Sequence, residues 1–193
     1  MSKLLGITAV VVLAMVATTA VATPIIVDDG GAGFSRSGDG FYGPSAGFGY
    51  LNDYQWANYV SSNPAQATWQ FSGLASQTWD VYTTWSLRNS WDNNADFAPF
   101  TIFDGTTGGS TLLSVVVNQD IAPVGIAYDG ATWFKLGTVT VTGSQLAVQL
   151  RATATMEGTA IADGVMIDVP EPATLVMLGM GGVAVLLKRN RKA

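Results

Sequence analysis

Carboxylates carry whatever acid–base or metal chemistry this chain can perform, because its 193 residues include no His and no Cys. The commonest general base and the thiolate nucleophile are therefore both missing. Glycosidic hydrolysis takes two carboxyl groups at a fixed separation. Between the two ends of the chain there is one Glu, Glu157, set beside Gly158, and many of the Asp lie in Gly-rich turns. Asp is favoured in such turns because its side chain accepts hydrogen bonds from nearby backbone N–H groups. A Ser-His-Asp triad is excluded, and a Ser-Lys pair would have to use Lys135, which lies within a strand pattern. The chain reads as non-catalytic.

Two carboxylate groupings have the spacing of a metal site. Asp92, Asn94 and Asp96 alternate as the opening of a calcium loop does, but the sixth position is Phe97 instead of Gly and the twelfth is Phe103 instead of Glu. A looser calcium site or a plain turn remains. Asp163 shares parity with Ile161, Val165 and Ile167 and should point inward. A buried carboxylate needs hydrogen bonds or a cation. Backbone groups in the loop of Asp28 and Asp29, where the first and last strands could meet, would serve. So would a structural calcium joining Asp28, Asp29 and Asp163, the one cofactor the residues suggest.

Aromatic side chains supply the other candidate chemistry. Trp56 falls with Tyr54 and Tyr59 in the segment from Tyr50 to Tyr59, and Trp91 sits in a polar loop. Sugars present apolar C–H faces, so exposed rings beside Asp and Asn make sugar platforms. Trp56 and Trp91 are thus candidate ligand-binding residues, with burial in the core as the competing reading, while Trp69, Trp79 and Trp85 read as core. The formal net charge of −5 understates the acidity of the body, since Lys3, Lys188, Arg189, Arg191 and Lys192 all lie in the ends. An acidic surface repels phosphate backbones, which argues against nucleic acid as a partner.

The elements that must position these residues are short strands. Ala67–Phe71 places Ala67, Trp69 and Phe71 on one face, and Gln145–Arg151 does the same with Leu146, Val148 and Leu150. From Thr78 to Arg88, Trp79, Val81, Trp85 and Leu87 share a face opposite Thr78, Asp80, Thr84 and Ser86. Leu112–Val117 and Trp133–Val141 alternate more loosely, and Ile161–Ile167 closes the domain. Turn pairs such as Asp28-Asp29-Gly30-Gly31, Asp104-Gly105, Asp129-Gly130 and Gly143-Ser144 punctuate these runs. Many short strands without βαβ alternation predict an all-β fold, an antiparallel β-sandwich of jelly-roll type over residues 23–168.

Both ends read as targeting segments. Lys3, an apolar run from Leu4 to Val16 and the small residues Ala20 and Ala22 follow the order of a secretory signal peptide over residues 1–22, predicting a signal helix cut by signal peptidase after Ala22. At the other end, residues 169–193 place Pro170, Glu171, Pro172 and Thr174 before an apolar stretch 175–187 and a basic end 188–192. Bases directly after an apolar segment stay cytoplasmic. The stretch predicts a short transmembrane helix, shorter than the ~20 residues of a comfortable span and weakened by Gly179, Gly181 and Gly182. It would hold the chain in the inner membrane only in transit.

These last residues resemble the PEP-CTERM sorting signal, which implies processing near the motif by an exosortase, a membrane cysteine protease of bacteria that make exopolysaccharide. The body resembles the golvesin C-terminal-like domain, also found as a presumed carbohydrate-binding module on xanthan lyases. The landmarks are Ile26-Val27-Asp28-Asp29, Gly33-Phe34-Ser35, Ala67-Thr68-Trp69, Tyr82 with Trp85, Ala98-Pro99-Phe100-Thr101-Ile102, Val117-Asn118-Gln119, Trp133-Phe134-Lys135-Leu136-Gly137 and Ala162-Asp163-Gly164-Val165. The stretches Gly43–Asn63 and Asp120–Asp129 are longer than in that pattern. The sequence thus reads as an exported, non-catalytic protein of the cell surface, outer envelope or extracellular matrix, of the kind found in biofilms, with polysaccharide as its expected ligand. Its rivals are a small secreted glycan-active enzyme using Asp carboxylates and an adhesive matrix protein bridged by calcium.

Overall fold

The computed structural model describes residues 23–59, 62–87 and 93–170. The signal segment with Ala20 and Ala22, the ring of Trp91, and the tail beyond Pro170, including Glu171, Pro172, Thr174 and the apolar stretch, lie outside the described residues. Among those described, no helix is long and apolar enough to cross a membrane. The described residues are nearly all β, with one 3-10 turn among them at Tyr50–Asn52.

One five-stranded sheet runs in the order β1 (Ile25–Val27), β13 (Val165–Asp168), β6 (Thr78–Thr83), β10 (Ala131–Thr140) and β9 (Ile126–Tyr128). A second runs β2 (Phe34–Ser37), β5 (Gln66–Ser72), β11 (Gln145–Arg151), β7 (Ala98–Asp104) and β8 (Ser110–Val117). A small sheet joins β12 (Ala160–Ala162), β4 (Gln55–Ala57) and β3 (Phe41–Tyr42). Every ladder between these strands is antiparallel.

Alternation builds the second sheet directly. Trp69 lies opposite Val148, and Val148 opposite Ile102, so the inward rows of β5, β11 and β7 form one apolar face containing Trp69, Phe71, Leu146, Leu150, Phe100 and Ile102, all buried. The first sheet brings Trp79, Val81, Val139, Val165 and Ile167 to the same core. At Asp129-Gly130 both residues have positive φ, 47° and 79°, the backbone a tight hairpin between β9 and β10 requires.

The first sheet departs from simple alternation because its other face is also covered. Tyr82, Trp133 and Met166 point away from the main core and form a second buried cluster with Tyr50. A strand buried on both faces loses its polar row. The expectation that alternation runs on through Arg88 fails for the same segment: β6 ends at Thr83, the chain leaves the sheet, and Leu87 is 45% exposed instead of facing the core.

Ile161–Ile167 likewise divides. Residues 160–162 form β12 in the small sheet and 165–168 form β13 in the first sheet, with Asp163 and Gly164 at the crossing. The side-chain amide of buried Gln119 fixes β12 by donating to the Ile161 carbonyl and accepting from the Ile161 N–H, both at 2.9 Å. Trp69 Nε1 donates to the Asp163 carbonyl at 2.9 Å, tying the crossing to the core.

Candidate functional site

At the end of β1 the chain turns through Asp28 and Asp29, and the Asp28 carbonyl accepts the Gly31 N–H at 2.9 Å. Because β1 pairs with β13, this turn lies against the crossing that carries Asp163. Oxygens of Asp28, Asp29 and Asp163 all lie within 4.8 Å of one another. Asp29 and Asp163 are each 1% exposed. Asp163 accepts the Tyr50 backbone N–H at 3.1 and 3.2 Å, so one amide serves both of its oxygens. Asp28 Oδ1 and both carboxylate oxygens of Asp29 are buried without any hydrogen-bond partner.

The Tyr50 and Gln55 amides offset the charge at this cluster only in part. Among the described residues, no Lys or Arg forms an ion pair with any of the three. Lys135 pairs instead with Asp80 at 2.7 Å, and Arg36 donates to Gln55 Oε1 at 2.8 Å, while Gln55 Nε2 donates to the Asp29 carbonyl at 2.7 Å. Burial pushes the Asp29 carboxyl up to about 7, with the charges of Asp28 and Asp53 adding to it. Burial also raises Asp163 well above the usual carboxylate range, against the lowering effect of the Tyr50 N–H, and raises Asp28.

Close approach to Asp163 is possible only for a residue without a side chain at Gly49. That residue has φ +84°, and a Cβ there would lie 2.9 Å from Asp163 Oδ2. The next residue, Tyr50, packs edge-on against Trp133 with ring centroids 5.3 Å apart and donates its hydroxyl to Asp129 at 2.6 Å. A cavity of about 260 Å³ opens beside this arrangement, lined by Tyr50, Thr84, Trp85, Ser86, Thr132 and Asp163 among others. Its hydroxyls and ring edges are groups of the kind that line small-molecule sites, whereas the Asp163 carboxylate beside them is buried.

The aromatic candidates separate. Trp56 lies in β4, half-buried and packed against the core, so it is not the outermost ring. Tyr42 stacks on it with centroids 4.3 Å apart and an interplanar angle of 23°, and is itself 49% exposed. Tyr54 is core, whereas Tyr59 is exposed. Tyr42, Gly49, Tyr50 and Gln55 escaped the sequence reading. They lie in a region of very short strands and positive-φ glycines where no periodicity develops. From the other calcium-like spacing, Asn94 Nδ2 donates to the carbonyls of Ser86 and Gln119, and Asp96 accepts the Glu157 N–H; Asp92 lies outside the described residues.

Residues 168–192 match the family of the PEP-CTERM protein-sorting motif, beginning at the last residue of β13. The chain carries a PEP-CTERM sorting motif. This motif marks an exported protein that passes through the membrane, is sorted to the cell surface and is processed by an exosortase. No curated protein matches the sequence. Among solved structures, the chain is similar to a Paenibacillus xanthan lyase, at 26% identity and TM-score 0.53 over 77% of this chain and 13% of the lyase. It thus spans a small part of that enzyme's length. Other matches are a Podospora anserina β-(1,4)-mannanase (14% identity, TM-score 0.49, 77% of this chain and 28% of that one) and the K3 cleaved adhesin domain of Porphyromonas gingivalis Lys-gingipain (16%, 0.46, 75% and 98%).

Proposed function

We propose that this sorted protein is a non-catalytic module of the cell surface or extracellular matrix that binds polysaccharide. The observation that carries the reading is the 26% identity to part of a xanthan lyase over 77% of this chain. A β domain within a polysaccharide-cleaving enzyme has a use for glycan affinity, and the same fold on a sorting tail would bring that affinity to the envelope. The acidic body argues against nucleic acid as a competing partner. The buried carboxylates support a binding role over a hydrolytic one. Asp29 and Asp163 are shut away from solvent, whereas paired catalytic carboxyls flank a sugar in an open cleft. Contact with glycan would come from the exposed Tyr42 ring stacked on Trp56, with the cavity beside Tyr50 and Asp163 as a second surface. The inner membrane, signal peptidase and exosortase are partners of its transit.

The test is a panel of charged and neutral polysaccharides, xanthan included, assayed with the processed protein both for retention in affinity electrophoresis and for release of reducing or unsaturated ends. Retention without chain cleavage is expected. Cleavage would transfer the protein to the glycan-active class, and neither retention nor cleavage would leave polysaccharide binding without support.

A further inference from the structure

We infer that Asp28, Asp29 and Asp163 form a calcium site that joins the two ends of the sandwich. Their oxygens already stand within 4.8 Å of one another, compatible with the span across a calcium ion whose oxygen ligands lie at 2.3–2.6 Å. The second, independent observation is Asp29. It is 1% exposed and neither of its carboxylate oxygens has a hydrogen-bond partner; with Asp28 Oδ1 they are the buried side-chain polar atoms left unmatched among the described residues. Gln119, by contrast, is fully buried with both ends of its amide bonded to Ile161. A buried carboxylate with both oxygens unpaired, beside two more carboxylates and no base in ion-pair contact among the described residues, is a set of ligands awaiting a cation.

The donor set selects the class of ion. All three ligands are carboxylate oxygens and the chain has neither His nor Cys, so a hard cation fits and zinc or copper does not. Calcium accepts the irregular coordination of a turn and a strand crossing, whereas magnesium demands near-octahedral geometry at shorter distances. The ligands come from opposite ends of the domain, with Asp28 and Asp29 following β1 and Asp163 preceding β13. Occupancy therefore fastens the terminal strands to each other and, through Asp163, to the Tyr50 amide. The inference does not depend on polysaccharide binding, and its failure would leave that reading untouched.

The experiment compares melting temperature in excess calcium and in chelator for the processed protein, Asp29→Asn and Asp163→Asn, with terbium luminescence as a direct probe of binding. The wild type should gain several degrees in calcium and sensitise terbium, with calcium displacing the lanthanide and magnesium doing so at least ten-fold less well. Asp29→Asn should lose the calcium gain yet melt in chelator at or above the wild type, since it removes a buried, unpaired charge. A purely structural Asp29 would instead lower the melting temperature equally with and without calcium, and that result would overturn the site. So would a wild type that neither responds to calcium nor binds terbium.

Discussion

The backbone amide of Tyr50 donates to both carboxylate oxygens of Asp163, across 113 positions of chain. That bond places the loop after β3 over the crossing between β12 and β13. It thereby ties three features together: the carboxylate cluster, the cavity beside it and the aromatic cover on the outer face of the first sheet.

Gly49→Ala should be far more damaging than Gly47→Ala. Both residues have positive φ, +84° and +93°, so both substitutions are strained, and Gly49, with ψ −179°, lies in a region essentially confined to glycine that costs roughly 1–3 kcal/mol. Only at Gly49 would the added Cβ also lie 2.3 Å from the Asp53 carbonyl oxygen and 2.9 Å from Asp163 Oδ2, whereas Gly47 has open space. Denaturant titrations should place the Gly49 variant at least ~1 kcal/mol below the Gly47 variant. Equal losses would mean that the loop does not approach Asp163 so closely.

Substitutions of aromatic residues should divide by burial. Trp69→Ala removes a fully buried ring and its hydrogen bond to the Asp163 carbonyl, and should cost about 3–5 kcal/mol. Trp85→Ala, also buried, belongs with it. Tyr42→Ala should cost only about 1 kcal/mol, the scale of one exposed ring pair, while weakening retention on any polysaccharide that the protein binds. Trp56→Ala should fall between the two because its ring is half-buried beneath Tyr42. Unchanged retention in Tyr42→Ala would remove this ring pair as the sugar platform.

The second sheet and the inward turn of Asp163 were legible because period-two alternation needs only one buried face, as in β5 and β11. In the first sheet the signal fades where Tyr50 covers the outer face: Tyr82 and Met166 sit on parities that a one-sided sheet would leave to polar residues. The inward reading of Asp163 holds although its premise does not, since β12 and β13 lie in different sheets and the residue is buried at the crossing between them. Tyr42 and Gln55 sit in strands of two and three residues, too short for any pattern. Their neighbours are settled by contacts across the fold, such as Gln55 on the Asp29 carbonyl.

Alkaline titration should detect the outer aromatic cover. Burial, with the hydrogen bond and charge of Asp129, pushes the Tyr50 phenol up to about 12, and burial beside Asp80 does the same for Tyr82. Asp28 and Tyr128 also face Tyr50, and Asp168 faces Tyr82. A folded-state value above the unfolded one near 10 means that the native protein keeps a proton the unfolded chain gives up. The resulting stability is complete below pH 10 and is lost as pH rises through about 12. Denaturant midpoints should fall across that window, and tyrosinate absorbance of the native protein should include a late step that shrinks in Tyr50→Phe and again in Tyr82→Phe. Phenylalanine variants that lose amplitude from the main step near pH 10 and leave the late step intact would place both hydroxyls in water.

Processing should leave a product shorter at both ends, because residues 1–22 read as a signal peptide and residues 168–192 match a sorting motif, and both kinds of segment serve transport. The sorting match begins at Asp168, the last residue of β13, so cleavage beyond it spares every strand of the core. The bases of residues 188–192 follow the apolar stretch at once, so the positive-inside rule predicts that they stay cytoplasmic during transit with the Pro170-Glu171-Pro172 segment on the other side. Intact-mass measurement on protein from its native host should therefore give Thr23 as the first residue and no basic tail. Deleting the exosortase should restore residues 188–192 to the product and keep it with the membrane fraction. A wild-type product that still ends in those bases would show that the tail is a permanent anchor instead of a signal that is removed.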